Sequence, residues 1–260
     1  VNEINETDLC VVWSPEYVGH VARAFPGYKV AVVGDWHIVP FEQVPWLEDY
    51  DLICADKKGI KRLTELGYPP AKLLYFRQFS HDPRLHYHPD PDAQRDLDVA
   101  FMGRDVPERQ PLLYALRKWG QRTGRRVHIE TDYGRGCEAD IYRRSKIVFN
   151  LSQRDELNMR AYEAAACGAL AVLQHDALPE ILAAGAPIPT YDSNRAIRLE
   201  LGPFLDAWLD APEWLAKQAA LQQEWVRGES PAAHLSWLCK RIQERMGARS
   251  YADQLDEAIA

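Results

Sequence analysis

Short apolar runs alternate with amphipathic stretches along most of this chain. In the first third the runs are Leu9 to Trp13, Lys29 to Gly34, Asp51 to Cys54 and Lys72 to Tyr75. Pro15 to Phe25 and Lys57 to Gly67 read as helices between them, the second closed by Gly67 and Pro69. Strands that alternate with helices form parallel βαβ units. The stretch from Phe79 to Asp92 is polar, proline-rich and aperiodic, and reads as an interdomain joint that acts as a hinge. A second alternation follows: strand Leu97 to Met102, helix Pro107 to Thr123, strand Arg126 to Thr131, helix Glu138 to Ser145, strand Ile147 to Leu151. After one further helix come a strand at Ala169 to Leu173 and a helix at Leu178 to Ala184. From Leu205 the text is helical, with Trp208, Leu209, Leu215, Trp225, Trp237 and Leu238 at core spacing. The pattern therefore predicts an α/β protein of two βα halves with a helical tail.

The segment Ser152 to Val172 concentrates polar chemistry at one joint between strand and helix. Asp155 or Asn158 can cap the helix that follows, and Gly168 stands where a left-handed terminating residue is needed. Arg154 and Arg160 flank the helix start, where free N–H groups and the positive dipole end favour a phosphate. Glu163, three residues after Arg160, shares its helix face and could accept ribose hydroxyls. The same spacing equally describes a helix-surface ion pair.

Asp155-x7-Glu163, the helix ending Glu163-Ala-Ala-Ala-Cys-Gly168-Ala and the strand Ser145-Lys-Ile-Val-Phe-Asn-Leu-Ser152 before Leu157-Asn-Met-Arg160 resemble the signature of GT-B glycosyltransferases. The segment is most similar to the spore-maturation-protein-B-like (CgeB-like) group, from about Asp96 to Tyr191. The resemblance implies two Rossmann-like βα domains facing across a cleft, the first one small, with a helical C-terminal tail. It implies an acceptor-side domain over 1–90, a nucleotide-sugar domain over 91–240, and a last helix, 241–260, crossing back to the first. It gives Glu163 the ribose, places Asp155 where the first acid stands, and puts Asn158, Met159 and Arg160 beside the donor. Phe101-Met-Gly-Arg-Asp-Val-Pro-Glu-Arg109 resembles the family turn in which glycine lets backbone approach the diphosphate and a basic residue neutralises it. Gly103, Arg104 and Arg109 inherit those roles, and Tyr142 matches a family tyrosine whose default is packing. The loop Thr131 to Gly136 could border the base or be a plain loop.

In the first half, Gly34-Asp-Trp-His37 ends a strand. An acceptor hydroxyl must lose a proton, which Asp35 or His37 can take, with His20 third. A local capping role fits the same residues. The Asp pairs 49/51, 90/92 and 96/98 enter strands or lie in the joint, and His81, His86 and His88 lack a fourth partner at zinc spacing. No metal and no cofactor is therefore expected, the nucleotide sugar being a substrate. The partners expected are a nucleotide sugar and a glycan or other hydroxyl acceptor.

A net charge of −7 argues against nucleic acid. No apolar run reaches the roughly 20 residues of a membrane span, and the start has no signal-peptide pattern. Five scattered cysteines read as reduced thiols in the cytoplasm. Few strands in the first half and the missing initiator Met fit a minimal or cut first domain. The expected activity is metal-independent, retaining sugar transfer; a non-catalytic nucleotide-sugar or glycan-binding module and a GT-B-shaped epimerase are the alternatives.

Overall fold

A computed structural model describes residues 9–18, 22–34, 36, 38–87, 94–131, 138–153, 155–193 and 201–259, with side chains to 247. The chain divides into two compact units, Val1–Gln78 with Ala232–Ala260, and Phe79–Pro231.

The first unit holds β1 (Leu9–Trp13), α1 (Pro15–Val18), β2 (Tyr28–Val32), β3 (Leu52–Ala55), α2 (Lys57–Glu65) and β4 (Leu73–Tyr75). Its sheet is parallel in the order β1-β2-β3-β4. The inner strands β2 and β3 are buried almost throughout, as strands covered on both faces are. The edge strand β1 exposes Leu9, Val11 and Trp13. One sheet face packs Val12, Ala31, Val33, Ile53 and Ala55 against Phe41, Leu47 and Leu63. The helix α2 starts where Asp56 accepts from the Gly59 amide at 2.6 Å. Of the helix expected over Pro15 to Phe25, the described residues hold α1, and Arg23 and Ala24 are in turns; 19–21 lie outside the described residues.

The second unit runs α3 (Pro83–His86), β5 (Leu97–Met102), α4 (Gln110–Thr123), β6 (Val127–Glu130), α5 (Glu138–Arg144), β7 (Ser145–Phe149), α6 (Met159–Ala166), β8 (Leu170–Gln174), α7 (Leu178–Ala184), β9 (Thr190–Tyr191), α8 (Leu201–Leu209) and α9 (Pro212–Arg227). All five strands are parallel, in the order β6-β5-β7-β8-β9. The chain builds to one side of β5 with β6, then turns back to its other side with β7. One face packs Val99, Phe101, Ile147 and Phe149 against Leu112, Leu116 and Trp119 of α4 and Leu205 of α8. The opposite face packs Met102, Val148 and Ala171 against Tyr142 of α5 and Ala164 of α6. The alanines of α6 let that helix lie close on the sheet. It ends at Gly168, whose φ of 72° closes hydrogen bonds from the Gly168 and Ala169 amides to Ala165 and Ala164.

Two elements of this unit are absent from the sequence pattern. The two-residue β9 is too short to carry periodicity. The one-turn α3 lies inside the proline-rich joint, started by Asp82, which accepts from the Arg84 amide at 2.9 Å, and by Pro83 at its first position.

The final helix α10 (Pro231–Ile259) belongs, from Ala232 onward, with the first unit. Leu238 and Ile242 cover Val30, Val32, Leu52 and Cys54 on the second face of the β1–β4 sheet. Of the tail residues expected in the core, Leu215 and Leu238 are buried, while Trp237 is half exposed and stacks on Phe76.

Candidate functional site

Strand order reverses between β5 and β7, and at such a switch point the loops after the two strands part and leave a crevice at their carboxyl ends. Gly103 follows β5 there, and Asn150 and Leu151 follow β7. Two arginines meet at Gly103. A Cβ on this glycine would lie 2.6 Å from Nη2 of Arg160 and 3.3 Å from Nη1 of Arg109, so glycine leaves room for both guanidiniums. Their central carbons stand 5.6 and 5.7 Å from the ring centre of Phe101.

Arg109 is 5% exposed. Its Nε and Nη2 donate to the Leu151 carbonyl at 3.1 and 2.9 Å, and Nη1 donates to the Arg104 carbonyl at 3.0 Å. Burial, helped by Arg160 alongside, pulls it down to about 10, which still leaves it cationic at neutral pH. Arg160 Nη1 donates to Asn150 Oδ1 at 2.6 Å, while its Nε is buried without a hydrogen-bond partner among the described residues. Among the described residues neither guanidinium forms an ion pair with a carboxylate. Two adjacent cations, neither ion-paired among the described residues, make a site for an anion.

The loop before α6 is clamped from below. Gln174, at the end of β8, accepts from the Ser152 amide at 3.1 Å and donates to the Ser152 carbonyl at 2.9 Å. Asn150 donates to Asn158 Oδ1 at 2.7 Å, and the Tyr191 hydroxyl donates to the Asn150 carbonyl at 2.8 Å. Asp155 adopts a left-handed φ of 53° and lies 3.4 Å from Gln174 Nε2. Asn158 takes the cap position of α6, but its side chain is spent on Asn150 and caps nothing. Among the described residues no side chain caps the first amides of α6, which corrects the expectation that Asp155 or Asn158 fills that role.

Glu163 sits one turn into α6 and is 8% exposed. It does not pair with Arg160. Burial raises its carboxyl to about 7, with Arg160 opposing and Glu138 adding to the rise. No hydrogen bond closes on the carboxylate among the described residues, and Oε1 lies 3.7 Å from Nε2 of His86.

The structure brings Gly103, Arg109, Arg160, Asn158 and Glu163 into this neighbourhood. Met159 is half exposed at the helix start, and the exposed Arg104 contributes its carbonyl. Tyr142 is fully buried in the core between α5 and the sheet. Asp35, His37, His20, Arg154 and the loop 132–136 lie outside the described residues. The described Asp pairs are engaged elsewhere: Asp49 with Arg23, Asp51 with the Lys29 amide, Asp96 with Arg144, and Asp98 with Lys146. Asn150, Gln174, Tyr191 and His86 join the site without having been singled out for it. Their polar side chains at strand ends or in the joint carry no periodic signal.

A family model for glycosyl transferase-like proteins matches residues 93–234, more than half of the chain. No curated protein matches it. Among solved structures, Anabaena HepE in complex with UDP-glucose superposes with a TM-score of 0.67 at 13% identity, over 90% of this chain and 78% of HepE. The α,α-trehalose 6-phosphate synthase of Burkholderia multivorans does so with a TM-score of 0.60 at 13% identity, over 95% and 72%. Two parallel α/β sheets followed by a helical tail are the GT-B fold of these neighbours. No helix among the described residues is long and apolar enough to cross a membrane.

Proposed function

The chain belongs to the glycosyl transferase-like family, and on that premise we propose that it moves a sugar from a nucleotide donor to a hydroxyl acceptor, with retention and without a metal ion. The observation that carries this reading is the pair of arginines at Gly103, neither of which is ion-paired to a carboxylate among the described residues. A nucleoside diphosphate brings the negative charge this pair lacks, and the uncapped start of α6 adds amide donors and the positive end of its dipole. Glu163 stands one helical turn further on, where a carboxylate accepts the two ribose hydroxyls. As the bond from the sugar to the diphosphate breaks, charge collects on the leaving oxygen, and Arg109, Arg160 and the helix start stabilise it. That fixed positive charge supports the metal-independent form of the reaction. The Asp155–Glu163 spacing, commoner in retaining relatives, supports retention. The first unit supplies the acceptor side, with Asp35 and His37 as the groups that take its proton.

Calorimetric titration with UDP-, GDP-, ADP-, CMP- and dTDP-linked sugars tests the reading. One of these should bind, with affinity unchanged in EDTA. Asp35→Asn and His37→Ala should lower transfer and spare donor affinity. Absence of binding by all five overturns the donor site, and binding restored only by Mn²⁺ overturns metal independence. Binding without transfer or hydrolysis turns the reading to a non-catalytic module.

A further inference from the structure

The one-turn helix α3 carries His86 against the middle of α6. His86 is 7% exposed, and its Nδ1 lies 3.1 Å from the Asp82 carbonyl. A carbonyl only accepts, so Nδ1 carries the hydrogen and a neutral ring turns a bare Nε2 toward Glu163, 3.7 Å away. Among the described residues, the other charged groups around the two come from α6, α5 and the start of α3. On α6 itself Arg160 is held by Asn150, and the Cys167 thiol is pushed up to about 12 by burial. From α5 come Glu138 and Arg143, the latter bonded to Asp140 and to the Leu85 carbonyl. From α3 comes Asp82, paired with Arg84. Among these described groups, His86 is the one placed to take a proton from Glu163.

We propose that His86 is a positioning residue for Glu163: it takes the carboxyl proton and so sets the pH range in which the site accepts a nucleotide ribose. The step moves one proton. The O–H bond of Glu163 breaks, an N–H bond forms at His86 Nε2, and the pair's net charge is unchanged. Burial raises Glu163 and lowers His86, so each disfavours standing charged alone, and an ion pair between them offsets both costs. Two ribose hydroxyls need two acceptor oxygens. A carboxylate offers both, whereas a carboxylic acid spends one on its own hydrogen. The ribose part of the proposal rests on the donor-site reading; the proton exchange does not.

The test begins on the free protein, with ¹³C-labelled glutamate side chains and the Glu163 signal assigned by its loss in Glu163→Gln. Wild type should titrate in two steps shared with His86. His86→Asn keeps an N–H for the Asp82 carbonyl but has nothing at Nε2, and should move the Glu163 midpoint up by about one pH unit. UDP, GDP and ADP are then titrated calorimetrically against both proteins. The diphosphate that binds wild type should bind His86→Asn about fivefold more weakly at pH 7 and almost equally well at pH 9, since moving the midpoint from about 7 to about 8 takes the ionised fraction at pH 7 from about one half to about one tenth. A loss that is the same at both pH values means that His86 only packs, and overturns the proposal. An unmoved Glu163 midpoint overturns it as well. If His86→Asn does not fold, the His86 ring is titrated in wild type and in Glu163→Gln, and an identical midpoint in the two overturns the exchange. If no diphosphate binds wild type, the donor-site reading fails, and the ribose part of the proposal fails with it. The free-protein titration still decides the exchange.

Discussion

Replacing Glu163 by Gln should stabilise the ligand-free protein above neutral pH while removing donor binding. Burial lifts this carboxyl from 4.5 to about 7, so the folded chain holds its proton more tightly than the unfolded chain does. For a raised value the stabilising contribution is complete below about pH 4.5 and is lost as pH rises through about 7. At about 1.4 kcal/mol per pH unit, the interval from 4.5 to about 7 amounts to about 3 kcal/mol. At pH 8 wild type therefore carries a buried charge that a neutral amide of the same shape avoids, and at pH 4.5 the two proteins carry the same charge there. His86 works in the opposite direction. Its lowered value favours the neutral ring in the fold, a contribution present above its ordinary 6.5 and lost as pH falls through the folded value. Partial ion pairing with His86 reduces the gain from Gln, so about 3 kcal/mol is its ceiling. Urea unfolding at pH 4.5 and pH 8, followed by fluorescence, should show a gain for Glu163→Gln at pH 8 that vanishes at pH 4.5. Lower stability of the variant at pH 8, or an equal gain at both, would refute the assignment of burial as the cause. Calorimetry on the same samples should show that donor affinity has fallen, which separates a binding group from a structural one.

Three further outcomes follow from the same geometry. Arg160→Ala should weaken nucleoside diphosphate binding by about 10- to 100-fold, the value of one charged hydrogen-bonding group, with an unchanged circular dichroism spectrum. Gly103→Ala should push the Arg160 guanidinium aside and lower donor affinity several-fold, and should lower the melting temperature as well, because the φ of 159° at this position is one that L side chains rarely adopt. Gln174→Leu should cost about 2 kcal/mol or more in urea unfolding, since it strips partners from both the amide and the carbonyl of Ser152.

Where local rules decide, the sequence is readable almost to the residue. The runs Leu9–Trp13 and Leu97–Met102 and the helix Leu178–Ala184 have the bounds their patterns indicate, because apolar period, proline and glycine act over a few residues. Gly168 could be read in the same way. The site itself is less legible. Gly103 and Asn150 become neighbours because β7 pairs with β5 on the side opposite β6, and strand order leaves no periodic trace. Arg160 and Glu163 have the spacing of a surface pair, yet Asn150 draws the first away while the second is turned toward His86. Asn158 has the residue type and place of a helix cap but finds a better partner across the loop. His86 sits in a stretch that looks like a featureless joint, because one turn of helix is shorter than any period that could announce it.

The β1–β4 sheet is finished by residues that arrive last. Val30, Val32, Leu52 and Cys54 are made in the first quarter of the chain, and the Leu238 and Ile242 side chains that shield them come near its end. During synthesis at about 5–20 residues per second, one apolar face of this sheet therefore waits roughly ten seconds or more for its cover. In that interval it has the properties of a sticky folding intermediate, whose natural guardian is a chaperone. A cut at the joint that kept only the amino-terminal stretch would make the exposure permanent. A faithful fragment of this unit has to carry α10 as well, and a linker in place of residues 79–231 would be the way to supply it.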